Sequence, residues 1–140
     1  MDDAHPRADR QPSVLLVDDD PVTQTQLARA LGESGARVVG TGSGDAALAL
    51  LEQWPAGVVV LSDAMPGGLE VARRIHASSP GVPIVLVSDR AKKDEQEHET
   101  EARALAARLA GVFATLTRPF DRRVLAELVV ALVVASDALA

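Results

Sequence analysis

Val14-Leu15-Leu16-Val17-Asp18-Asp19-Asp20-Pro21 is the stretch on which the reading of this chain turns. Its unbroken apolar run, with no polar alternation, suits a strand covered on both faces, as in a parallel sheet. Three carboxylates then mark where the chain leaves the core, and Pro21 is well suited to the first turn of a helix. Working outward, the same grammar recurs at Arg37–Gly40, Val58–Leu61 and Ile84–Val87, and more weakly at Val112–Leu116.

Helical periodicity fills the gaps. Leu27, Ala30 and Leu31 mark a first helix; Ala47, Leu50, Leu51 and Trp54 a second; Val71, Ala72 and Ile75 a third. A fourth is predicted to begin within residues 91–95 and to stop at Gly111. A fifth is predicted from Asp121 to Ser136. Five strand–helix alternations predict a doubly wound α/β fold, a parallel five-stranded sheet with helices on both faces. Residues 1–12, polar and holding two prolines, read as a disordered tail, 13–136 as one domain and 137–140 as a short C-terminal tail.

Composition narrows the function. A chain of 140 residues suits one domain, and with Trp54, Phe113 and Phe120 as the sole aromatics its core must be built from Val, Leu and Ala. A net charge of −6 argues against a nucleic-acid partner, and the lack of cysteine excludes disulfides and thiol chemistry. There is no apolar run of membrane-spanning length and no apolar signal core, so no membrane association and a cytoplasmic location are the expectations. His5, His76 and His98 are dispersed without metal spacing. Gly40-Thr41-Gly42-Ser43-Gly44 falls short of a dinucleotide loop, because Asp45 stands where a glycine is needed and would oppose a pyrophosphate.

In open parallel sheets, chemistry collects at the carboxyl ends of the strands. Here those ends carry Asp18-Asp19-Asp20, Ser62-Asp63, Ser88-Asp89 and Thr117-Arg118. Two readings of the aspartate cluster stand side by side: an oxygen site for Mg²⁺, or carboxylates favoured at a helix N-terminus.

Taken together, Val14–Pro21, Val58–Gly67, Pro83–Ser88 and Leu116–Phe120 resemble, in order, the motifs of the receiver domain of two-component response regulators, over Ser13 to about Ser136. The resemblance implies a flavodoxin-like (βα)5 fold, a stand-alone signalling module rather than an enzyme, and a histidine kinase or other signalling protein as partner. It implies Asp18 and Asp19 as Mg²⁺ ligands, Ser88 as the hydroxyl that binds the phosphoryl group, and Arg118 where the family has a lysine.

Several positions depart from the family pattern. Met and Pro follow the family's acceptor aspartate by three and four residues, so counting back from Met65 and Pro66 lands on Ser62, which cannot form an acyl phosphate. The expectation is therefore an altered, pseudo-receiver pocket and phosphorylation-independent signalling. The alternative is that Asp63, helped by a Met-Pro loop about two residues short, turns into the site as acceptor with Mg²⁺. Arg118 is a fork rather than a point charge and is expected to pair with Asp18 and Asp19. Asp89 would oppose an incoming phosphoryl dianion. Thr115 stands at the family's switch aromatic. Residues 90–100, rich in charge, read as a solvated helix extension or a docking surface. On the last helix, Val130, Val133 and Val134 fall away from the face of Val124, Leu125, Leu128 and Leu132, which predicts a partner or homodimer surface.

Overall fold

The computed structural model describes residues 13–89, 105–118 and 120–139. Its elements are β1 (Ser13–Val17), α1 (Pro21–Glu33), β2 (Arg37–Thr41), α2 (Gly44–Gln53), β3 (Val58–Ser62), α3 (Gly68–Ser78) and β4 (Ile84–Asp89). A helical stretch at 105–109 (α4), β5 (Val112–Arg118) and α5 (Arg122–Leu139) follow. The strands form one parallel sheet in the order β2-β1-β3-β4-β5. This is the doubly wound, flavodoxin-like arrangement, with β1 and β3 at its centre.

The central strands explain why their sequences are continuous apolar runs. Val14 through Val17 and Val58 through Leu61 are all fully buried. Alternate residues serve different layers. Leu15, Val17, Val59, Leu61, Ile84 and Leu86 pack with Ala47 of α2, Val71, Ala72 and Ile75 of α3, and Ala107 of α4. Val14, Leu16, Val58, Val60, Val85 and Val87 pack with Leu27 and Leu31 of α1 and Leu125, Val129 and Leu132 of α5. Each buried leucine or valine contributes about 1.5–3 kcal/mol relative to exposure, so slipping any central strand by one residue would forfeit both layers at once.

Local signals set the helix ends. Asp20 caps α1, its Oδ1 accepting the Val22 N–H at 3.1 Å and its Oδ2 the Thr23 hydroxyl at 3.0 Å, with Pro21 in the first turn. These bonds, Thr23 foremost, hold the Asp20 carboxyl below the usual carboxylate range. The helix-start reading of the aspartate cluster thus holds for Asp20. Ser43 caps α2 through Ala46 N–H at 3.1 Å. Gly111, at φ 88°, ends α4 as expected.

Two expectations shift. The last helix continues to Leu139, past Ser136. Of the three valines expected to share a free face, Val133 packs against the α1/α5 core instead, so close to Gly57 that a Cβ there would meet its Cγ2 at 3.1 Å. Val134 is 61% exposed and Val130 half-buried, whereas Val124, placed on the core face by periodicity, is 47% exposed. At 100° per residue Val133 and Val124 flank the Leu125, Val129 and Leu132 face on opposite sides, and the structure buries the Val133 flank. Residues 1–12 and the insert at 90–100 lie outside the described residues. No helix among the described residues is long and apolar enough to cross a membrane.

Candidate functional site

The carboxyl end of the sheet gathers the residues singled out in the sequence, and the pleat sorts them. β1 and β3 run in register up to Val17 opposite Leu61, so Asp18-Asp19 and Ser62-Asp63 leave neighbouring strands at the same end of the sheet. Both strand ends stay bonded to their outer neighbours: Asp18 N–H donates to Thr41 O of β2 at 3.0 Å, and Asp63 N–H donates to Val87 O of β4 at 2.8 Å. Side chains alternate along a strand. Asp63 therefore follows Val59 and Leu61 toward the α2/α3/α4 layer, and Ser62 follows Val58 and Val60 toward α1 and α5.

Ser88 follows Ile84 and Leu86 on β4, on the Asp63 side. Its hydroxyl donates to Asp63 Oδ2 at 3.4 Å. The count back from Met65 pointed to Ser62, but Ser62, buried and paired with Val87, lies across the sheet from Ser88.

Asp63 itself is 8% exposed. The connection to α3 presses directly onto it. Gly67, in the left-handed region at φ 70°, turns the chain sharply into α3, and a Cβ on Gly68 would sit 3.3 Å from Ser62 O and 3.8 Å from Asp63 Oδ1.

On the other side of the pleat stand Asp18 and Arg118. Asp18 is 2% exposed; its Oδ1 accepts the Asp20 N–H at 2.9 Å, and its buried Oδ2 has no hydrogen-bond partner among the described residues. Burial raises the Asp18 pKa, against the opposing influence of that backbone bond and of the Arg118 charge. Arg118 lies opposite Asp89 at the end of β5, with its Nη2 buried and likewise without a partner among the described residues. The expected pairing with Asp18 is thus not made through these two atoms: Arg118 acts on Asp18 and Asp20 through its field. Asp19 is exposed beside them. Thr115, level with Leu86, is exposed, and the Asp89 side chain lies outside the described residues.

The donor chemistry suits a hard cation. Mg²⁺ keeps several waters and binds through one or two carboxylates, and the buried, unpartnered Asp18 Oδ2 offers such a ligand. Among the described residues no three acidic or histidine side chains converge at metal-ligand spacing, so a closed protein cage is not formed.

Comparison with known proteins matches this geometry to a family. The model of the response regulator receiver domain matches residues 14–130. The chain belongs to the response-regulator receiver family. The receiver is 34% identical over 118 residues to the probable transcriptional regulatory protein TcrX of Mycobacterium tuberculosis, covering 82% of this chain and 47% of that protein. It is 31% identical over 125 residues to the sensor histidine kinase GacS of Pseudomonas protegens, covering 86% of this chain and 13% of that one. The chain thus spans less than half the length of these relatives. In fold it is similar to a CheY-like receiver domain from Methanospirillum hungatei, with a TM-score of 0.79 at 19% identity, over 94% of this chain and 100% of that one.

Proposed function

We propose that this receiver is a phosphoacceptor whose acceptor is Asp63, and that it relays signals between a histidine kinase and a downstream protein. The observation that carries the reading is the Ser88 hydroxyl on Asp63 Oδ2 at 3.4 Å. In the transfer, a carboxylate oxygen of Asp63 attacks phosphorus, the phosphorus–nitrogen bond of the donor phosphohistidine breaks, and the nitrogen keeps the electron pair. Ser88 is placed to donate to a phosphoryl oxygen. One or two of the carboxylates at these strand ends, together with waters, would hold Mg²⁺, which neutralises charge on the transferred group. Receivers of this family are generally signalling modules, not enzymes acting on external substrates.

A second reading, phosphorylation-independent signalling by protein contact, draws on Arg118. Its charge already compensates Asp18 at a position where a lysine would reach the phosphoryl group. Thr115 in place of the switch aromatic favours the same reading. Incubation with acetyl phosphate and Mg²⁺, or with beryllofluoride, separates the two. An adduct on Asp63 supports the first reading, and its absence under saturating donor supports the second.

A further inference from the structure

Gln24 stands on α1, in the turn after Pro21, with its amide directed back at the strand ends. Its Nε2 donates to Asp18 O at 3.0 Å and to Thr41 O at 3.1 Å. Thr41 O also takes the Asp18 N–H. One amide therefore ties the ends of β1 and β2 to the first turns of α1, at the peptide that leads into Asp19. The fit depends on β2: a Cβ at Gly40 would lie 3.0 Å from Gln24 Cδ and 3.1 Å from Oε1. A primary amide is suited to this place because one nitrogen offers two N–H donors without charge, whereas a carboxylate would set acceptor against acceptor.

We propose that Gln24, in the space left by Gly40, is a positioning residue that fixes the Asp18–Asp19 peptide so that both carboxylates serve the cation and phosphoryl site. Its consequence for phosphate uptake rests on the phosphoacceptor reading; the clamp itself does not.

The test compares Gln24→Leu, Gln24→Glu and Gly40→Ala with Thr25→Ala, a control whose hydroxyl only bonds Pro21 O within α1. The first readout is the metal-free ¹⁵N–¹H spectrum, in which the Asp20 amide proton reports the bond to Asp18 Oδ1. The second is the Mg²⁺ concentration that half-saturates labelling by acetyl phosphate, set against the extent of labelling at saturating Mg²⁺. Gln24→Leu and Gly40→Ala are expected to displace the Asp20 amide and raise half-saturating Mg²⁺ by about tenfold or more, the scale seen when a residue behind a metal ligand is removed. Labelling at saturating Mg²⁺ is expected to stay within about twofold, as for a loss confined to binding. Gln24→Glu is expected to match Gln24→Leu at neutral pH and to recover toward the wild-type Asp20 signal once its carboxyl is protonated and again donates. Thr25→Ala should change neither readout. An unmoved Asp20 amide with unchanged Mg²⁺ dependence in a folded Gln24→Leu or Gly40→Ala protein would overturn the proposal. If Gln24→Leu does not fold, Gly40→Ala and Gln24→Glu decide it. A wild-type protein that takes no label defeats the phosphoacceptor reading alone, because the Asp20 amide still decides the clamp.

Discussion

Asp63 and Ser62 are chain neighbours, both nearly buried, yet the pleat sends them to opposite layers. Asp63 meets Ser88 on the α2/α3/α4 side, while Ser62 follows Val58 and Val60 toward the α1/α5 side. At the mouth of a parallel sheet, then, a site is specified by strand parity more than by spacing from a motif.

The sharpest way to break this comparison is substitution on either side of it. Asp63→Asn should abolish labelling by acetyl phosphate, whereas Ser62→Ala should retain it, as read by intact mass. Loss in Ser62→Ala with retention in Asp63→Asn would reverse the assignment of the two faces.

Next in size is the α1/α5 layer that backs Asp18 and Ser62. Leu125, fully buried, anchors it, and Leu125→Ala should cost about 2–5 kcal/mol in urea unfolding. Gly67→Ala should cost about 1–2 kcal/mol, because a Cβ is disfavoured at its left-handed conformation. That change acts on the Asp63 side through the turn into α3, so its labelling rate should fall where that of Leu125→Ala, while folded, does not.

The pH dependence belongs to Asp18. Its folded pKa is raised, chiefly by burial, so the ionised form costs stability above that pKa, and the cost is relieved as pH falls through the folded value toward 3.8. With EDTA present, Asp18→Asn should therefore be more stable than wild type at neutral pH, by on the order of 1 kcal/mol. The advantage should shrink on acidification, and thermal melts from pH 7 to pH 4 check the sign. Smallest is Val134→Ala, expected within about 0.5 kcal/mol for an exposed side chain. A larger loss that grows with protein concentration would mark the α5 surface as a homodimer contact.

Much of this was legible in the sequence for identifiable reasons. The fully buried strands advertise themselves as unbroken Val and Leu runs, and the receiver motifs sit at strand ends in a fixed order. The direction of Asp63 was not legible, since a spacing count through Met65 and Pro66 says nothing of the side-chain direction that brings it to Ser88. Val133 was misplaced because it lies on the flank of the buried face, where periodicity alone does not decide, and Gly57 leaves the space that its side chain fills. Gln24 left no signal of its own: a glutamine in a first helical turn looks like any solvated residue until Gly40 is seen beneath it.

The central claim is that the acceptor is Asp63. Its most direct test is peptide mapping after incubation with acetyl phosphate and Mg²⁺, with borohydride trapping of the acyl phosphate. One modified site at Asp63, present in wild type and Ser62→Ala and absent in Asp63→Asn, is the predicted result. No modification at saturating donor and Mg²⁺, or modification that persists in Asp63→Asn, would contradict it.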